Sequence, residues 1–168
     1  MPQPIVEQLG FTRAEWLRAL RGMPEADARR RLEPMNSVGW IVGHLAWHEQ
    51  RYWLSRAQSR TPVPGLNELV ASGGPATTPP LRQMRTAWRD VLAEADPWLD
   101  RLAGSDLLDP LPGPGAHRSV GDAIQRLIYH YWFHTGEILA IRQILGHRHL
   151  PEFVGDLELR APFRPASG

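Results

Sequence analysis

The chain of 168 residues has no cysteine, and its nineteen basic residues are all arginine. Without cysteine there can be no disulfide, Cys-ligated zinc, iron–sulfur cluster or protein thiolate nucleophile. Without lysine, Schiff-base chemistry and a P-loop are excluded as well. Net charge is nearly absent too, at +1, which gives no electrostatic case for nucleic acid or an anionic membrane as partner. No stretch approaches roughly eighteen uninterrupted apolar residues, so no membrane-spanning helix is expected. The opening MPQPIVEQLG lacks a basic segment followed by an apolar run. No signal peptide is therefore expected, and the cytoplasm is the default location. The sequence contains no Gly-x-Ser-x-Gly elbow, Rossmann fingerprint or basic aromatic stripe.

What is present argues for a packed globule. The hydrophobic fraction is 42% and there are seven tryptophans, enough for one domain with a proper core. A single domain over residues 1–168 is expected, with its core at about 10–157 and an irregular tail from Pro151.

Four segments carry helical patterning. Thr12-Arg13-Ala14-Glu15 reads as a capping box, with Phe11 and Trp16 as its hydrophobic staple, opening a helix to about Leu20 that Gly22 stops. A short helical piece from Glu25 to Leu32 fits between Pro24 and Pro34. Asn36 or Ser37 caps a second long helix running to roughly Arg56. Residues 59–80, rich in Pro, Gly, Ser and Thr, read as a long loop without regular structure. A third helix begins near Pro79 or Pro80, is expected to kink or break at Pro97, and ends at Gly104. After a second loop from Ser105 to Arg118, Ser119 and Asp122 open the fourth helix, from Val120 to about Leu145, with Gly146 as its stop. With no strand alternation or internal repeat, the expectation is an all-α bundle.

Four of the seven histidines lie on two of these helices. His130 and His134 are one helical turn apart on the face that carries Leu127 and Ile138, so they point inward and can converge on one metal ion. The second helix contributes His44 and His48 with the same spacing. Either can supply a third ligand from across the bundle. Three neutral nitrogens with a position left open is the arrangement of a catalytic metal site.

Asn36-Ser37-Val38-Gly39-Trp40 running into Gly43-His44-Leu45-Ala46, then His130-Tyr131-Trp132-Phe133-His134-Thr135-Gly136-Glu137, resembles the DinB/YfiT-like superfamily. Leu145-Gly146-His147 with the segment Leu150 to Asp156 is similar to one DinB-like subfamily. The resemblance covers about residues 10–157. It implies a four-helix bundle with long connecting loops, often dimeric, whose three-histidine site binds a divalent metal. The ligands it implies are His44, His130 and His134, with His48 as a substrate-facing residue and the rival to His44. Relatives of this kind include thiol S-transferases that use bacillithiol or mycothiol, and maleylpyruvate isomerase, and many have no established activity. The implied function is a metal-dependent enzyme acting on a small-molecule substrate through water or a low-molecular-weight thiol cosubstrate. The alternative is a non-catalytic metal-binding or stress-response module of the same fold.

Imidazole ligands suit Zn, Ni, Fe and Cu alike. His48-Glu49-Gln50-Arg51-Tyr52 is not the zinc-protease motif, because Tyr52 stands where the second histidine belongs. Neither Glu49 nor Glu137 has a histidine three residues on, so a di-metal carboxylate site is not expected. Both glutamates remain candidates for orienting ligands or moving protons. Arg142 reads as a surface arginine or a clamp for a substrate carboxylate. The helix dipole accounts for His147 and His149, and His117 falls in a loop.

Overall fold

Serine caps start two of the long helices. The Ser37 hydroxyl accepts the Trp40 N–H at 3.1 Å and opens α3 (Val38–Glu49). Ser119 and Asp122 form a reciprocal capping box at the start of α6 (Val120–Ile144), and Gly146 leaves that helix with φ 78°. The structure, a computed structural model, describes residues 2–113 and 118–164, so His117 lies outside the described residues. The remaining helices are α1 (Pro4–Ala19), α2 (Glu25–Arg29), α4 (Leu66–Leu69), α5 (Leu81–Leu99) and α7 (Leu157–Arg160). A π-helical segment, Gln50–Arg56, continues α3, and Asp106–Leu108 forms a 3-10 turn. No β-strand occurs among the described residues, as expected for an all-α fold.

The long helices pack α3 along α5 and α1 along α6, with α3 also meeting α6. One apolar cluster fills the space between them, including Trp16, Ile41, Leu45, Trp53, Val91, Leu127 and Tyr131. Two glycines on α3 set how closely its neighbours approach. A Cβ on Gly39 would collide with the Pro79 carbonyl, and one on Gly43 with the Met84 sulfur and the Val70 side chain. Gly43 thus lets the Val70 segment sit directly against the helix turn that carries His44.

A buried polar cluster ties the four long helices together. Glu49, 0% exposed, accepts Arg13 Nε at 2.7 Å and Tyr131 OH at 2.8 Å on Oε1. Its Oε2 accepts Arg13 Nη2 at 2.7 Å and Trp53 Nε1 at 2.6 Å. Trp88 Nε1 donates to Tyr131 OH, and Arg13 Nη1 reaches Asp96 at 2.9 Å. Four donors on one carboxylate match its lone-pair capacity. Burial opposes the Arg13 charge, but Glu49 outweighs it and raises the guanidinium pKa; the Tyr131 pKa is raised well above 10.0, by burial and then by Glu49.

Several boundaries differ from the sequence expectation. α1 begins at Pro4, with proline in its first turn, and Thr12 is a buried mid-helix residue rather than a cap. The apolar face of α1 already starts at Val6 and Leu9, whose burial carries the helix through the local capping pattern. α2 is shorter than expected. α5 runs through Pro97 and ends at Leu99, five residues before Gly104; its first N–H groups are capped by the Glu25 carboxylate from α2. The stretch 59–80 is not structureless. It contains α4, buries Leu66 and Val70, and is held by Gln50, whose amide bonds both backbone groups of Val63.

Arg142 is neither a surface residue nor a substrate clamp. It is buried and donates to the Ala19 and Arg21 carbonyls and to His147 Nδ1. His147 in turn donates from Nε2 to Asp27 at 3.1 Å, so a specific contact, not only the helix dipole, accounts for it. No helix of the described residues is long and apolar enough to cross a membrane.

Candidate metal centre

α3 and α6 bring His44, His130 and His134 together: one ring nitrogen from each lies within 4.8 Å of the other two. The orientation of two rings follows from their outer nitrogens. His44 Nδ1 is 2.8 Å from the Val70 carbonyl, which can only accept, so Nδ1 carries the proton and Nε2 presents its lone pair. His134 Nδ1 is 2.7 Å from the Glu137 carboxylate, one helical turn on, with the same consequence. This pairing of each ligand's second nitrogen with a carbonyl or carboxylate is the arrangement that orients metal-binding imidazoles. His44 is further held flat against Trp40, with ring centroids 4.4 Å apart and planes 17° apart.

Burial holds His44 down at a pKa of about 4, with the His134 charge adding to that and the Val70 bond opposing it. His130 is lowered to about 3, again mainly by burial, then by His134, His44 and Arg126. Both are neutral at pH 7, the protonation state in which imidazole binds metal.

His130 Nε2 and His134 Nε2 are 2.9 Å apart. Nitrogens bound tetrahedrally at about 2.0–2.1 Å from one ion are separated by about 3.3 Å, so the pair need open only by about 0.4 Å to share it. A donor set of three imidazoles, two of them already oriented by their outer N–H, fits a single divalent ion.

His48 stands beside this group without belonging to it. Its ring meets those of His44 and His130 edge to face, at 4.6 and 4.4 Å. Its pKa is driven far down, first by burial and then by His44 and His130, and its buried Nδ1 has no hydrogen-bond partner. Glu49 bonds Arg13, Tyr131 and Trp53 and none of the four histidines, whereas Glu137 touches His134 directly. His149 is exposed at the end of α6, away from these groups.

A cleft of about 660 Å³ opens onto His44, His48 and His130. Its outer wall includes Arg118 and Arg126, and neither these arginines nor the Val70 carbonyl were foreseen from the sequence. Arg126 had a readable signal, lying four residues before His130 on the same helix. Val70 had none, because its role depends on a loop folding back onto Gly43.

A model of the DinB superfamily matches residues 8–138, and the chain belongs to that superfamily. The matched region contains all four clustered histidines. No curated protein matches the chain.

Proposed function

We propose that the protein is a mononuclear metalloenzyme in which His44, His130 and His134 hold one divalent ion, Zn, Ni or Fe, and the cleft admits a small-molecule substrate. The observation that carries this reading is the pair of outer hydrogen bonds, Val70 to His44 and Glu137 to His134, which leave the inner nitrogens as acceptors aimed at a common point. A bound ion would supply Lewis acidity toward a water or a thiol reaching it from the cleft.

The residues of the chain do the rest. The Val70 carbonyl and the Glu137 carboxylate keep the Nδ1 protons in place. Trp40 covers one face of the His44 ring and keeps water from it. His48, with an unmatched Nδ1 and a place in the cleft wall, is available to contact a bound substrate. Because the chain has no cysteine, any reacting sulfur would come from a cosubstrate thiol; thiol S-transfer is the favoured reaction through the resemblance to thiol S-transferases of this superfamily.

Turnover tests the enzyme reading. Metal-loaded protein is expected to accelerate consumption of an electrophile by bacillithiol, mycothiol or glutathione, with loss of the rate on chelation and in His130→Ala. Stoichiometric metal with no rate above background for any thiol or for ester hydrolysis would instead identify a non-catalytic metal-binding module.

A further inference from the structure

The cleft beside the histidines carries a charge that metal binding does not use. Arg118 and Arg126 both line it, against a single carboxylate, Asp122. That carboxylate is engaged, accepting the Ser119 N–H at 3.2 Å as part of the α6 capping box. Neither guanidinium is ion-paired among the described residues. Arg126 sits one helical turn before His130 on α6 and lines the same cleft. Imidazole ligands bind a metal in their neutral form, so a divalent ion there would keep its full charge and add to the same field.

The same wall is apolar further along α6. Tyr129 is 63% exposed and Phe133 71% exposed, and both line the cleft. Phe133 meets His134 edge to face at 5.2 Å, next to the centre. Gln125 donates to the Tyr129 hydroxyl at 3.2 Å and steadies the second ring. Guanidinium groups recognise carboxylates through paired N–H donors, and exposed rings accept an apolar body.

We propose that the cleft binds a small organic carboxylate, its anionic group held by Arg118 and Arg126 and its apolar body laid against Tyr129 and Phe133. Its role as substrate or cosubstrate rests on the metal-centre reading, whereas the binding itself does not. In that role the two arginines set specificity: they hold the anionic end at the rim and turn the other end toward the histidines.

Benzoate is a suitable probe, with benzamide as its neutral counterpart, followed by NMR titration of the full chain as purified and after chelation. Benzoate is expected to bind at least about tenfold more tightly than benzamide, to shift Tyr129 and Phe133 signals, and to weaken at high salt. Arg118→Gln with Arg126→Gln should reduce benzoate affinity by about tenfold or more, and Arg126→Gln alone by less, with metal content unchanged. Both residues are exposed, so the variants should fold. Equal affinity for benzamide, undiminished benzoate binding in the double variant, or binding that vanishes on chelation alone would overturn the proposal. Failure of the metal-centre reading would appear separately, as absence of stoichiometric metal with benzoate binding intact.

Discussion

Two buried polar clusters lie side by side on the same pair of helices, built from neighbouring residues: Glu49 next to His48 on α3, and Tyr131 next to His130 on α6. In the first, every strong hydrogen-bonding group is matched, with Arg13, Tyr131 and Trp53 saturating the Glu49 carboxylate. In the second, the Nε2 atoms of His130 and His134 bond only each other, at 2.9 Å, and His48 Nδ1 has no partner. Among the described residues only one other buried side-chain polar atom is unmatched, Trp16 Nε1, which lies within an aromatic cage of Trp88 and Tyr131. A cluster that satisfies itself holds the fold together. One whose ring nitrogens converge beside an open cleft could hold a metal ion.

That contrast predicts opposite responses to substitution. Glu49→Ala leaves the buried Arg13 charge with only the part-exposed Asp96 as partner, strips Tyr131 and Trp53 of their acceptor, and should cost about 3–5 kcal/mol in denaturant unfolding. Loss of less than about 1 kcal/mol would mean that the cluster is not the tie it resembles. Glu137→Ala should do the reverse. Its half-buried carboxylate contributes little to stability, but releasing the His134 Nδ1 proton from its acceptor should weaken metal binding about 10–100-fold, measured by chelator competition. Unchanged affinity would remove the oriented-ligand interpretation of that bond.

The smallest effect is at the C-terminal segment. Glu15 accepts the Gly155 N–H at 2.9 Å and pairs with Arg18, which also reaches the Phe153 carbonyl, so one carboxylate pins the C-terminal segment to α1. Burial pushes Glu15 up, but the Arg18 and Gly155 bonds outweigh it and hold the pKa below its ordinary 4.5. A lowered folded value means that this docking is fully present above pH 4.5 and is lost as pH falls through the folded value. The hydrogen-exchange protection factor of the Gly155 amide should therefore fall on acidification ahead of those in α6, and the step should disappear in Glu15→Gln. An identical step in that variant would assign it to another group.

Local chemistry was legible in the sequence where residues close in the chain do the work. Ser119 with Asp122, the stops at Gly22 and Gly146, and the one-turn spacing of His130 and His134 all read directly. Thr12 misled, because its capping pattern is local while burial of Val6 and Leu9 extends α1 back to Pro4. Pro97 misled for a related reason: packing on the α5 face, from Leu92 and Ala95 to Leu99, carries the helix past a missing donor. The Arg13–Glu49–Tyr131 cluster and the Val70–His44 bond were invisible, since each joins residues from segments that meet only in the folded chain. Glu49 was readable as a candidate near the histidines, but only tertiary structure reveals that its oxygens are already occupied.

Elemental analysis of tag-free protein, beside His130→Ala and His48→Ala, tests the central assignment most directly. The expected result is one Zn, Ni or Fe per chain, lost in His130→Ala and retained in His48→Ala. Absence of stoichiometric metal after incubation with these ions, or unchanged content in His130→Ala, would contradict it.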